Sequence, residues 1–77
     1  MRYNFALFTP RLKEACKRRN TTVERIGLGI GLAPRRVLEM ETRGLQCLDV
    51  YRLSQIAERL DVSMDWLCGS EPPVAAE

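Results

Sequence analysis

Histidine is absent from the 77 residues, and its absence removes a range of chemistry. No Cys/His zinc site can be assembled, and no thiol can draw on an imidazole base for nucleophilic catalysis. Cysteine is scarce. Cys16, Cys47 and Cys68 are odd in number and widely spaced, and read as reduced, small, mostly buried side chains. No apolar run approaches the roughly 18–20 residues a helix needs to cross a bilayer. The opening stretch, residues 1–8, carries one arginine, has Asn4 inside its apolar run and precedes no small-residue cleavage pattern, so it does not read as a signal peptide. A cytoplasmic protein with no membrane association is the expectation. No glycine loop of the phosphate-cradling kind and no paired carboxylates in an evident pocket are found, so neither an enzyme nor a bound cofactor or metal is expected.

What remains is an ordinary globular composition, 45% hydrophobic and 29% charged. The length is enough for one core. A domain of this size buries roughly 60% of the surface its unfolded chain exposes, so modest stability is expected. The net charge of +2 conceals a strong polarity. Residues 1–44 hold ten Lys/Arg against four acids, net +6, while residues 45–77 hold two Arg against six acids, net −4. Such segregation supports one basic face offered to a polyanion, with an acidic face elsewhere.

Helical punctuation divides the chain, and no strand alternation is apparent. Thr9 and Pro10 are suited to N-cap and first helical position of a helix over about 10–19, with Leu12, Ala15 and Cys16 on one face. Thr22 is suited to cap a second helix over about 23–29, with Val23, Ile26 and Ile30 inward and Gly31 at its end. A third helix is predicted from Pro34 to about Thr42, with Val37 and Met40 inward, followed by a loop at 45–48. Asp49 opens a fourth over about 50–60, whose Val50, Leu53, Ile56, Ala57 and Leu60 recur at helical spacing. Ser63 opens a short fifth through Cys68, stopped by Gly69. The organisation expected is an N-terminal arm at 1–8, a helical domain at 9–69 and a disordered tail at 70–77.

The second and third helices meet the demands of a DNA-reading pair. A small residue, Gly27, falls where the second helix would be crossed. Gly31 sits at the turn, where a left-handed backbone is needed. Ile26, Ile30, Leu32, Val37 and Met40 flank it to lock the crossing. On these residues, together with Thr22, Glu41 and the stretch from Asp49 to Gly69, the chain resembles the phage Cro/cI-type (XRE family) helix-turn-helix regulators. The resemblance covers residues 9–69 and implies an all-α, compact five-helix domain with a helix-turn-helix, lambda-repressor-like in fold. Gly29 inside the second helix, Val23 in place of a polar residue, and one extra residue between Glu41 and Gly44 depart from the family pattern.

The resemblance further implies sequence-specific binding of double-stranded DNA as a transcriptional regulator, in the manner of a repressor, with the third helix in the major groove. Arg35, Arg36, Glu39 and Pro34 are the candidate base-reading positions. Arginine pairs bidentately with guanine, and Glu39 is suited to accept from a cytosine amino group. Thr22, Arg43, Lys17 and Arg18 are the candidate phosphate contacts, with Arg19 completing the basic run. Each has a plainer alternative as a solvated side chain. A homodimer is expected, with Phe5, Leu7 and the tail as interface candidates; Trp66 is a further candidate, but a core position is the favoured reading for it. The alternative function is a helix-turn-helix protein that binds another regulator protein, as an antiactivator or antitoxin does, a reading to which Leu38 on the outer side of the third helix contributes.

Overall fold

Three helices open on a side chain that accepts a hydrogen bond from their own backbone, as the cap residues in the sequence foretell. Thr22 Oγ1 accepts from the Arg25 amide at 3.1 Å, Asp49 Oδ1 from the Arg52 amide at 2.7 Å, and Ser63 Oγ from the Trp66 amide at 3.0 Å. The structure, a computed structural model, describes residues 2–71. Within them run α1 (Phe8–Arg18), α2 (Val23–Gly29), α3 (Pro34–Arg43), α4 (Val50–Leu60) and α5 (Met64–Leu67).

The start of α1 differs from the expectation. Asn4 Oδ1 accepts from the Ala6 amide at 3.2 Å and opens a 3-10 turn over Phe5–Leu7, which runs directly into the helix. Winding therefore begins before Thr9. Phe8 enters the core fully buried, and Pro10 occupies the third position of the helix, where its missing N–H has no intrahelical partner to lose. The expected loop at 45–48 is mostly a second 3-10 turn, Gly44–Cys47, because Leu45 and Leu48 pack against the core and pull the chain inward.

The termini are the larger correction. Arg2–Tyr3 (β1) pairs antiparallel with Ser70–Glu71 (β2), with Arg2 opposite Glu71 and Tyr3 opposite Ser70. The expected arm and the first two residues of the expected tail thus form a clasp. The remaining tail residues, 72–77, lie outside the described residues. Gly69 makes the clasp possible: at φ +90°, an added Cβ would stand 1.9 Å from the Asn4 carbonyl oxygen. The Asn4 amide donates to the Gly69 carbonyl at 2.8 Å, and the Tyr3 hydroxyl donates to Asp65 at 2.9 Å.

All five helices contribute to one core, in which Phe8, Leu12, Met40, Ile56, Leu60 and Leu67 are the most deeply buried large apolar side chains. The radius of gyration is 11.4 Å, against about 11.5 Å for one compact domain of this length. No helix among the described residues is long and apolar enough to cross a membrane.

Three of the five helices are finished at their C-termini in the same way. The Thr21 amide reaches the Cys16 carbonyl, Leu32 reaches Gly27 and Val62 reaches Ala57, each at 3.0 Å. These six-to-one bonds, with Asn20, Gly31 and Asp61 at positive φ, are Schellman closures of α1, α2 and α4. Arginines then take carbonyls near the helix ends. Arg19 Nε donates to Leu60 O at 3.3 Å, and Arg11 Nη1 donates to Trp66 O at 2.7 Å and Ser70 O at 3.1 Å.

Candidate nucleic-acid interface

The geometry of α2 and α3 starts from one missing methyl group. A Cβ added to Gly27 would lie 2.6 Å from Val37 Cγ2, so α3 crosses α2 at a point where only glycine fits. Ile26, Ile30, Leu32 and Met40 are buried beside that contact. Gly31, at φ +90°, turns the chain, and Ala33 then leads into α3 in an extended conformation. Pro34 opens α3 without any side-chain cap, so its fixed φ and its missing donor replace a capping residue.

Opposite the buried Val37 and Met40, helical spacing places Arg35, Leu38, Glu39 and Thr42 on one outward side of α3. Arg35 is exposed, and its guanidinium has no partner among the described residues. Leu38 is 62% exposed, a large apolar side chain in the middle of that side. Glu39 is half-buried and its carboxylate is unpaired among the described residues. The Thr42 hydroxyl donates back to Leu38 O at 3.0 Å. Pro34 is exposed at the start of the helix.

Arg36 behaves differently from Arg35. It is exposed, yet its Nη2 donates to the Cys47 carbonyl at 3.3 Å and ties α3 to the following 3-10 turn. The basic run on α1 also divides. Lys17 is exposed and unpaired among the described residues, whereas Arg18 bonds Glu14 at 3.0 Å and lies over Trp66 at 5.6 Å. Arg19 pairs with Asp61 at 3.1 Å besides capping α4. Arg43 is exposed and lines an open groove with Phe5, Ala6, Thr9, Thr42 and Leu45. Thr22 is exposed, but its oxygen is already engaged as the α2 cap, leaving only its hydroxyl hydrogen to offer.

The free cations are therefore Lys13, Lys17, Arg25, Arg35 and Arg43, all exposed and without a side-chain partner among the described residues. Lys13 and Arg25 are additions to the candidates named from sequence. Their signal was only their exposure on the polar sides of α1 and α2, which spacing reveals without ranking. Trp66 is 6% exposed and stacked beneath Arg11 and Arg18, so it takes the core position favoured for it from sequence rather than an interface.

Nothing in the described residues assembles a metal site, since no group of three or more His, Cys, Asp or Glu side chains comes together. Burial raises the Cys16 thiol above its ordinary range, with Glu41 adding to the effect, and burial likewise raises Cys68. Both are kept as neutral thiols, which are poor nucleophiles. No protein-family model, curated protein or solved structure matches the chain.

Proposed function

We propose that the chain is a sequence-specific double-stranded DNA-binding transcriptional regulator of the helix-turn-helix, lambda-repressor-like kind, which reads the major groove with α3. The observation that carries this reading is the locked pair itself. Gly27 admits Val37, Gly31 turns the chain, and the resulting unit holds an unpaired Arg35 outward. Such an arrangement supports a guanidinium entering a groove without first breaking an internal bond. Arg35 is the first base-reading residue and Glu39 the second, with Leu38 placed to meet a thymine methyl group. Arg36 contributes only by leaving Cys47 O. Lys17 and Arg43 supply phosphate contacts, and Thr22 supplies one through its hydroxyl hydrogen.

In this reading the protein represses by occupying an operator as a homodimer, with two α3 helices about 34 Å apart on successive turns. Selection of binding sites from random duplex, paired with sedimentation, tests it. An enriched palindrome is expected, with affinity that falls steeply as salt rises because each phosphate contact releases counterions. Absence of any enriched sequence would overturn the proposal.

A second reading has one observation in its favour. Leu38 is 62% exposed on the side of α3 that would face DNA, where an apolar side chain equally suits a protein partner. In that case α3 docks on another regulator, and binding changes little with ionic strength.

A further inference from the structure

We propose that Arg52 and Arg59 of α4 are positioning residues that clamp the end of α2 and so fix where α3 begins. The consequence for affinity rests on the DNA-binding reading; the clamp itself does not.

The argument begins with the carbonyls at the end of α2. Its Schellman closure satisfies Gly27 O through the Leu32 amide and Leu28 O through the Gly31 amide. Gly29 O and Ile30 O are left without a backbone donor, as expected at a helix end. Those are the two that α4 takes. Arg59 Nη2 donates to Gly29 O at 3.0 Å, and Arg52 Nη1 donates to Ile30 O. The arginines are seven residues apart, two helical turns, so they leave the same side of α4.

Space for them comes from the two glycines. A Cβ at Gly29 would lie 3.2 Å from Arg59 Nη1, and one at Gly31 would lie 3.3 Å from Arg52 Nη1. Gly29 is the last residue of α2, and a Cβ there would press the Arg59 guanidinium back by a few tenths of an ångström. Ile30, between the two, is buried in the core. The segment Gly29-Ile30-Gly31 thus turns an apolar side chain inward and gives both flanking positions to guanidiniums.

The mechanical effect follows from where α4 is anchored. Leu53, Ile56, Ala57 and Leu60 hold it in the core, so the two arginines refer the end of α2 to that fixed body. Pro34 follows three residues after Gly31, and α3 inherits its starting point from the clamp. Positive charge at a helix C-terminus is favourable in its own right, so the bonds and the helix dipole act together.

Amide hydrogen exchange on Arg59→Gln tests the clamp, with Gly29→Ala as a second variant that crowds the guanidinium without removing it. The expected result is faster exchange at the Gly31 and Leu32 amides, by about tenfold for one lost charge-assisted bond, with a smaller change at Ile56 and Leu60. Unchanged exchange at Gly31 and Leu32, or an equal rise at all four, would overturn the proposal, since the arginine would then be inert or merely stabilising.

A duplex selected by the unaltered protein gives the second readout. Arg59→Gln should weaken binding to it by about tenfold while leaving the salt dependence unchanged. A salt slope lowered by about one would make Arg59 a direct phosphate contact and overturn the positioning role. If no duplex is selected, the DNA-binding reading fails, while the exchange contrast still decides the clamp.

Discussion

Between Gly27 and Val37 there is no space for a methyl group, and the tilt of α3 over α2 depends on that fact. Gly27→Ala forces Val37 or the backbone to shift, and should lower the unfolding free energy in urea by about 1–3 kcal/mol. Adding Val37→Ala vacates the contested volume, so the double variant should lose less stability than the sum of the two single losses. Strict additivity would show that the contact is not tight. Ser70 offers the opposite sign. Its side chain is fully buried and its hydroxyl has no hydrogen-bond partner among the described residues. Ser70→Ala removes a polar group that folding strips of water, and should stabilise by about 1 kcal/mol in the same assay. Gly27 was readable from sequence because its constraint is local: a small residue four positions before the turning glycine. The contact at Gly29 was not, because the arginine it packs beside, Arg59, lies thirty residues downstream.

At the level of elements, α3 carries the functional expectation. Arg35 stands free on its outer side, so Arg35→Ala should leave stability within about 0.5 kcal/mol of the parent. On the selected operator the same change should weaken binding by about 1–3 kcal/mol and relax preference at one base pair. Titration against matched and mismatched duplexes checks both, and unchanged affinity removes Arg35 from the reading set. Helix boundaries were legible wherever a cap announced them, at Thr22, Asp49 and Ser63. The start of α1 was not, because Asn4 begins the winding earlier through a 3-10 turn, and Thr9 only looks like a cap. The strand pair was invisible for a different reason. Two residues at each end carry no alternation to detect, and their register depends on Gly69 admitting the Asn4 carbonyl from the far end of the chain.

Across the whole molecule, charge written in the sequence is not charge offered to a partner. The +6 of residues 1–44 includes Arg11 and Arg19, which spend their guanidiniums on helix carbonyls, and Arg18, which pairs with Glu14. Counting charges gives the sign of the field, but only three-dimensional contacts give its effective size. The clasp of the two ends is similarly a property of the whole chain, and it titrates. Donation to Asp65, together with burial, raises the Tyr3 hydroxyl above its ordinary value of 10.0. A raised folded value means that the contribution is fully present below the unfolded value and is lost as pH rises through the folded one. The difference in melting temperature between the parent and Tyr3→Phe should therefore be constant up to about pH 10 and shrink above it. A difference that grew with alkalinity would reverse the assignment.

Because Arg2 faces Glu71 across the strand pair, the described chain is nearly a closed circuit. A few flexible residues would suffice to join the two ends into a ring, and the backbone could then be opened elsewhere, for instance between Leu48 and Asp49, without redrawing the packing. Order along the chain and order in space are to that extent separable, and the α2–α3 unit would keep its neighbours wherever the cut was made.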